Sequence, residues 1–471
     1  MEKFIELVEK INGAVNNVVW GWPMLILIIG TGIYFTIRTN FFQIRRFGHV
    51  LNETFFAIFK NKNVTTTKDK KSITQFQALS TALAATIGTG NIVGVATALT
   101  AGGEGAIFWM WVSAIFGMMT NYAENVLGIF YRYKNAKDEW MGGPMVYIEK
   151  GLGQKWLAVI FSVFCVGASF GIGNMTQVNS ISSSLNATYN IPTIITGLFI
   201  AAMVALVIVG GIRRIGKVTE KIVPFMAMAY IIGSLIILIL HINLVPAVFN
   251  SIFTKAFSLK AVGGGAAGTV MASAIKWGFK RGVFSNEAGL GSSVMVHSAS
   301  DIKEPVKQGL WGIFEVFFDT IIVCSLTAFV IISTGALNSG AQGSELAIIA
   351  FSDGFSTFAG HFVTIAILLF AFSTILGWSY YGERAMEYLL GLKSIIFYKI
   401  AFILMIVVGA TVSLDLVWDI SDTLNALMAI PNLIGVLLLS GVVIRITNNY
   451  IGRNLSKIPS EEKPMCSAYD K

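Results

Sequence analysis

The sequence is short of charge. Only 13% of its 471 residues are Asp, Glu, Lys or Arg, against 55% hydrophobic. A soluble domain carries about 25% charged residues, so an ordinary cytosolic enzyme and a disordered chain are both excluded. Cysteine is scarce: Cys165, Cys324 and Cys466 form no CxxC pair, which removes a disulfide framework. Four histidines, His49, His241, His297 and His361, lie far apart, so a zinc site is not expected. Proline is low at 9 residues and glycine high at 47, as in close-packed membrane helices.

What remains is apolar length. Mean hydropathy is +0.70, and a membrane span needs ~20 mostly apolar residues. Such runs lie at 20–37, 76–100, 106–131, 156–185, 192–212, 222–241, 263–281, 309–334, 361–382, 395–413 and 421–444. These predict an all-α polytopic membrane protein with eleven transmembrane helices. Residues 1–19 carry Phe4, Leu7, Val8, Ile11 and Val15 at helical spacing among charges. That pattern predicts an amphipathic helix on the membrane surface rather than a cleaved signal.

Charge orients the spans. Placing the N-terminus outside puts all but Lys3, Lys10, Lys255, Lys260 and Lys276 of the 34 Lys and Arg residues in inner segments. Inner loops favour Lys and Arg in this way. The expected topology is therefore N-terminus outside and C-terminus cytoplasmic, in the cell membrane. The net charge of +8 reflects that orientation rather than nucleic-acid binding.

With the first span set aside, ten spans divide into two fives of opposite orientation, an inverted repeat. The expected parts are 1–75 (surface helix, extra span and basic cytoplasmic linker), 76–241 (first repeat), 242–450 (second repeat) and 451–471 (a mobile cytoplasmic tail). Each repeat opens on a polar, glycine-rich span: Thr86, Gly88, Thr89, Gly90, Asn91 and Gly94 in one; Gly263, Gly264, Gly265, Gly268, Thr269 and Ser273 in the other. Discontinuous first helices are expected in both. A helix broken in hydrocarbon frees N–H groups for a carboxylate and carbonyls for a cation, and is tolerated only around a cavity or ligand. Close packing through Gly90-xxx-Gly94 is the plainer reading. Two glycines, two threonines and an asparagine within six residues favour an unwound binding segment.

The run Ala84–Val95, with Gly102–Trp111, Gly142–Met145, Gly173–Gln177, Gly210–Gly216, Phe284–Gly291, Phe372–Arg384 and Met428–Leu433, resembles the alanine or glycine:cation symporter family. The likeness covers nearly everything after residue 20, with Glu104 standing where proline is more usual. It implies the five-plus-five fold of the amino acid–polyamine–organocation superfamily. It also implies sodium-coupled symport of alanine or glycine into the cell by alternating access, with no cofactor, by a monomer. The substrate residues it implies are Thr86, Gly88, Gly90, Asn91, Gly173, Asn174, Gln177, Thr374 and Trp378. Gln177 would donate its amide N–H to the substrate carboxylate, whereas Asn174 is equally consistent with interhelical bonding. Thr86, Thr89, Ser373 and Thr374 would serve sodium, a hard ion that takes oxygen ligands. Trp378 would cap the pocket; Phe170 and Phe372 read as packing.

Several charges fall inside or beside spans. Lys280 and Arg281 read as snorkelling to the inner face, Lys276 as a partner of Glu287 or Glu124. Asp319 and Glu315 read equally as a proton or ion relay and as partners of a buried Lys or Arg. A channel lacks any filter motif, and a membrane enzyme lacks HExxH or clustered carboxylates.

Overall fold

The computed structural model describes residues 2–258, 267–412, 415–456 and 460–469. Among these the chain is mostly helical; its extended pairings are a short hairpin, Tyr133–Lys134 antiparallel with Trp140–Met141, and a parallel bridge between Ile73 and Ser300. Seven helices are long and apolar enough to cross a membrane, or eight when the bent pair Gln75–Thr86 and Thr89–Gly102 counts as one span. Three more helices at expected span positions fall short of that test. Gly105–Tyr131 carries Asn121, Glu124 and Asn125, and Ala267–Asn286 carries Lys276, Lys280 and Arg281. Thr193–Ile208 has only 16 residues.

Burial runs opposite to that of a soluble protein. Leu198, Phe199, Leu206, Phe225, Ile239 and Leu404 are exposed, while Glu124, Glu287, Glu315 and Asp319 are buried. Apolar residues facing outward and acids facing inward are what a lipid solvent selects. The molecule is thus a multi-pass membrane protein.

Small residues set the helix crossings. A Cβ on Gly278 would lie 2.4 Å from the Ala106 carbonyl oxygen, and one on Gly102 would lie 2.9 Å from Trp277 Cβ. Gly309 and Gly312 likewise seat the Pro305–Val316 helix against Tyr122 and Asn125 of Gly105–Tyr131. Such near-contact of backbones is the means by which membrane helices gain packing energy without a hydrophobic drive between them.

The structure departs from the sequence reading in several places. Gly263, Gly264 and Gly265 lie outside the described residues, and the helix is continuous from Ala267 through Gly268, Thr269 and Ser273 to Asn286. The interruption in the second half comes later, over 287–293, where Glu287, Gly289 and Gly291 adopt positive φ. Lys280 does not snorkel: its Nζ lies 2.7 Å from Asp422 Oδ2 with both side chains buried. Lys276 is exposed and pairs with neither Glu287 nor Glu124. The basic segment after Arg38 forms four short helices. Two further helices, Val245–Ala256 and Gly343–Phe355, occupy segments between the expected spans. The tail returns to the bundle, with Ala468 N–H donating to the Phe130 carbonyl and the Tyr469 hydroxyl to that of Tyr131.

Gly278→Val should disrupt the crossing with Gly105–Tyr131. Overpacking there costs ~1–3 kcal/mol or more, so the variant's melting temperature in detergent should drop by several degrees. Wild-type melting would show that the two backbones are not held in contact.

Candidate functional site

The first broken helix begins cleanly. Thr74 caps it, accepting from Gln77 N–H while the Gln77 side chain accepts from Thr74 N–H. The helix stops at Thr86. Ile87 and Gly88 are non-helical, a single turn follows over Thr89–Asn91, and the direction changes by 58°. β-branched and glycine residues are poor helix formers, but they do not alone stop a buried helix. Replacement partners for its backbone stabilise the interruption. Gly88 N–H donates to Asn91 Oδ1 at 3.0 Å, and Asn91 Nδ2 donates to Asp319 Oδ1 at 2.7 Å. Ser285 and Thr320 hydroxyls hold the other Asp319 oxygen at 2.7 and 2.8 Å.

A second interruption faces the first. Gly171–Met175 forms one wide turn inside the 155–189 helix, a feature common at functional sites. Gln177 follows it. Its Nε2 donates to the Ile172 carbonyl at 2.9 Å, and its Oε1 accepts from the Thr89 hydroxyl at 3.1 Å. Gly173 allows the approach of the Ala359–Leu390 helix, since a Cβ there would fall 2.3 Å from Trp378 Cβ.

Between these elements lies a small cavity. Thr86, Gly88, Gly90, Gln177, Thr374 and Trp378 line it, with Ala85, Ile172, Phe284 and Glu287 completing the wall. Six of the residues expected at a substrate site therefore converge. Asn91 and Asn174 do not line it: Asn91 is committed to Gly88 and Asp319, and Asn174 Nδ2 donates to the Phe402 carbonyl at 2.7 Å. Gly173 acts behind Trp378. Phe170 packs on Tyr398 and Phe402.

The oxygen cluster sits at the end of the first half-helix. Ser373 Oγ and Thr374 Oγ1 reach the Ala84 carbonyl at 3.2 and 3.1 Å, and each also reaches the Phe370 carbonyl, at 2.8 and 3.0 Å. Two hydroxyls and a carbonyl freed at a helix end make a neutral, all-oxygen donor set, the type a hard monovalent cation takes. Thr86 Oγ1 bonds back to the Ala82 carbonyl, and Thr89 turns to Gln177.

Glu287 is the participant whose role sequence reasoning did not define. It stands at the second break with φ +57°, its Oε1 accepts from Trp378 Nε1 at 2.8 Å, and the Ser292 hydroxyl donates to its Oε2. Its one signal was an acid in an otherwise apolar, glycine-flanked run. Asp319 and Glu315 find no Lys or Arg among the described residues. Asp319 serves Asn91, and Glu315 meets His297 Nε2 at 3.0 Å.

A sodium:alanine symporter family model matches residues 5–463. A sodium/alanine symporter from Methanococcus maripaludis is 48% identical over 464 residues, covering 96% of this chain and 99% of that protein. A probable sodium/glutamine symporter from Bacillus subtilis is 37% identical, covering 94% and 91%. In solved structures, a manganese transporter from Eremococcus coleocola superposes with a TM-score of 0.53 at 14% identity, over 86% of each chain; this likeness concerns the fold.

The Trp378–Glu287 contact is testable by a double-mutant cycle. Trp378→Phe and Glu287→Gln should each destabilise the protein by ~1–3 kcal/mol through an unpaired buried group. The double variant should lose less than the sum. Strict additivity in thermal unfolding would deny the contact.

Proposed function

The chain belongs to the sodium:alanine symporter family, and from that premise we propose that it carries alanine or glycine into the cell together with sodium. One observation supports this most strongly: the Ser373 and Thr374 hydroxyls converge on the Ala84 carbonyl at the end of a broken helix, one turn from the non-helical Gly88–Gly90 backbone that lines the cavity. A zwitterion needs donors for its carboxylate and acceptors for its ammonium. The start of the second half-helix supplies N–H groups with a positive dipole end. Carbonyls at the close of the first half-helix supply the acceptors. Sodium beside them adds a positive charge near the substrate carboxylate, so each solute favours the other's binding.

The substrate set in this reading is Thr86, Gly88, Gly90, Gln177, Thr374 and Trp378, with Gly173, Asn91 and Asn174 positioning it. The sodium set is Ser373, Thr374 and the backbone around Ala84 and Thr86, with Thr89 next to it. Gln177 offers its amide N–H once a carboxylate displaces the Ile172 carbonyl from it. Trp378, held by Glu287, closes the side-chain end of the pocket and leaves room for hydrogen or methyl.

The eleven spans, with N-terminus outside and C-terminus cytoplasmic, belong to the same proposal. So does the pairing of 76–241 with 242–450 as inverted repeats, with 1–75 and 451–471 as additions. The interruptions near residues 87 and 287, each following the opening helix of its half, support the pairing. Alternating access then follows from rocking one helix group about the two breaks. Sodium entering down ~100 mV supplies ~2.3 kcal/mol per ion, enough to concentrate a neutral solute many-fold. The transporter works as a monomer in the lipid bilayer.

Proteoliposomes should take up labelled alanine or glycine only under an inward sodium gradient. Ser373→Ala and Thr374→Ala should each raise the sodium concentration for half-maximal uptake by about tenfold, equivalent to ~1.4 kcal/mol. Equal uptake without sodium would reject the coupling.

A further inference from the structure

Beyond Phe284 lies a second cavity, of about 220 Å³. Gly90 and Phe284 belong to both cavities, so the second one opens directly over the first. It is smaller than the 300–1,000 Å³ of drug-sized sites. Its walls carry charge of both signs, Arg281 on one side and Asp419 and Asp422 on the other.

The two signs are not spent on each other. Lys280 takes Asp422 Oδ2, at 2.7 Å, and Trp20 Nε1 donates to the Asp422 main-chain oxygen at 3.0 Å. Asp422 Oδ1 remains buried without a hydrogen-bond partner, on a side chain that is only 6% exposed. Arg281 has no ion-pair partner among the described residues, and its Nε is buried without a hydrogen-bond partner. Its guanidinium is instead steadied by aromatic faces, 5.5 Å from the Trp277 ring centre and 5.3 Å from that of Phe284. Phe284 in turn stacks on Trp418 at 6.3 Å. The guanidinium is thus held in place while its donors stay available.

A ligand here must satisfy a fixed guanidinium and a carboxylate oxygen, must be small and must add no net charge, because Lys280, Arg281, Asp419 and Asp422 already balance. A small α-amino acid in its zwitterionic form meets every condition. We propose that this cavity is a second amino-acid subsite, in which Arg281 binds the carboxylate while Asp422, with Asp419 beside it, receives the ammonium. The assignment rests on the symport reading of the inner cavity. The solute is held here before Phe284 admits it to the Gly88–Gly90 site. A guanidinium without an ion-pair partner and a carboxylate oxygen without a donor select against ligands that lack either end.

The test is equilibrium dialysis of the full-length protein in detergent with labelled alanine, at saturating sodium and alanine. The wild type should bind close to two alanines per chain. Arg281→Gln should bind close to one, and Arg281→Lys, which keeps the charge, should move back toward two. Gln177→Ala should also bind close to one, having lost the inner site. In proteoliposomes Arg281→Gln should raise the KM for alanine about tenfold. One alanine per chain in the wild type and in Arg281→Gln, with unchanged KM, would overturn the second subsite and leave the symport reading intact. No sodium-dependent alanine binding in any of them would overturn both.

Discussion

Everything at the site depends on one constraint. Inside a membrane each backbone N–H and C=O must find a partner within the protein. The interruption at 87–91 meets it with side chains: Asn91 closes on Gly88 and is fixed by Asp319, while Ser373 and Thr374 cover the Ala84 carbonyl. These partners come from the 305–333 and 359–390 helices, on the far side of the sequence. The break is therefore a tertiary structure. The local Gly88–Asn91 bond is itself anchored by Asp319 from a distant helix, and the groups that satisfy the break are the groups a ligand must engage or displace.

The same constraint accounts for the buried acids. Glu124, Glu287, Glu315 and Asp319 sit in the bundle without a Lys or Arg partner among the described residues. Each instead accepts hydrogen bonds from neutral donors: Asn432, Trp378, His297 and Asn91 respectively. Three of the four lie close to the irregular segment 287–293. Asn432 ties this segment directly to Glu124 by also donating to the Gly289 carbonyl at 2.9 Å. Buried acids thus brace the second interruption as Asp319 braces the first, which is a structural use of groups that cost several kcal/mol to place in lipid.

Much of this was legible in the sequence. Apolar run length located the helices, and the cluster Thr86–Asn91 located the first break, because glycine, threonine and asparagine together supply both weak helix propensity and replacement hydrogen bonds. Gln177, Thr374 and Trp378 came from resemblance and converge on one cavity. Glycine counting pointed to Gly263–Gly268 for the second break; Gly263–Gly265 lie outside the described residues, the helix is continuous from Ala267, and the described chain interrupts at Glu287, where left-handed backbone and a buried carboxylate coincide. Lys280 was misread because sequence cannot show that Asp422, 142 positions later, stands 2.7 Å away. Side-chain direction was equally hidden: Asn91 and Asn174 have the right chemistry for a ligand, and their contacts turn them to the frame.

Phe284 forms a wall shared by both cavities, a partition one aromatic ring thick. Moving such a ring needs only rotation about side-chain bonds, whereas the neighbouring helices are locked wherever Gly278 meets Ala106. The two compartments are consequently separated by a movable side chain rather than by packed backbone. Passage between them runs on the clock of a single side chain, far faster than any rearrangement of the helices around them.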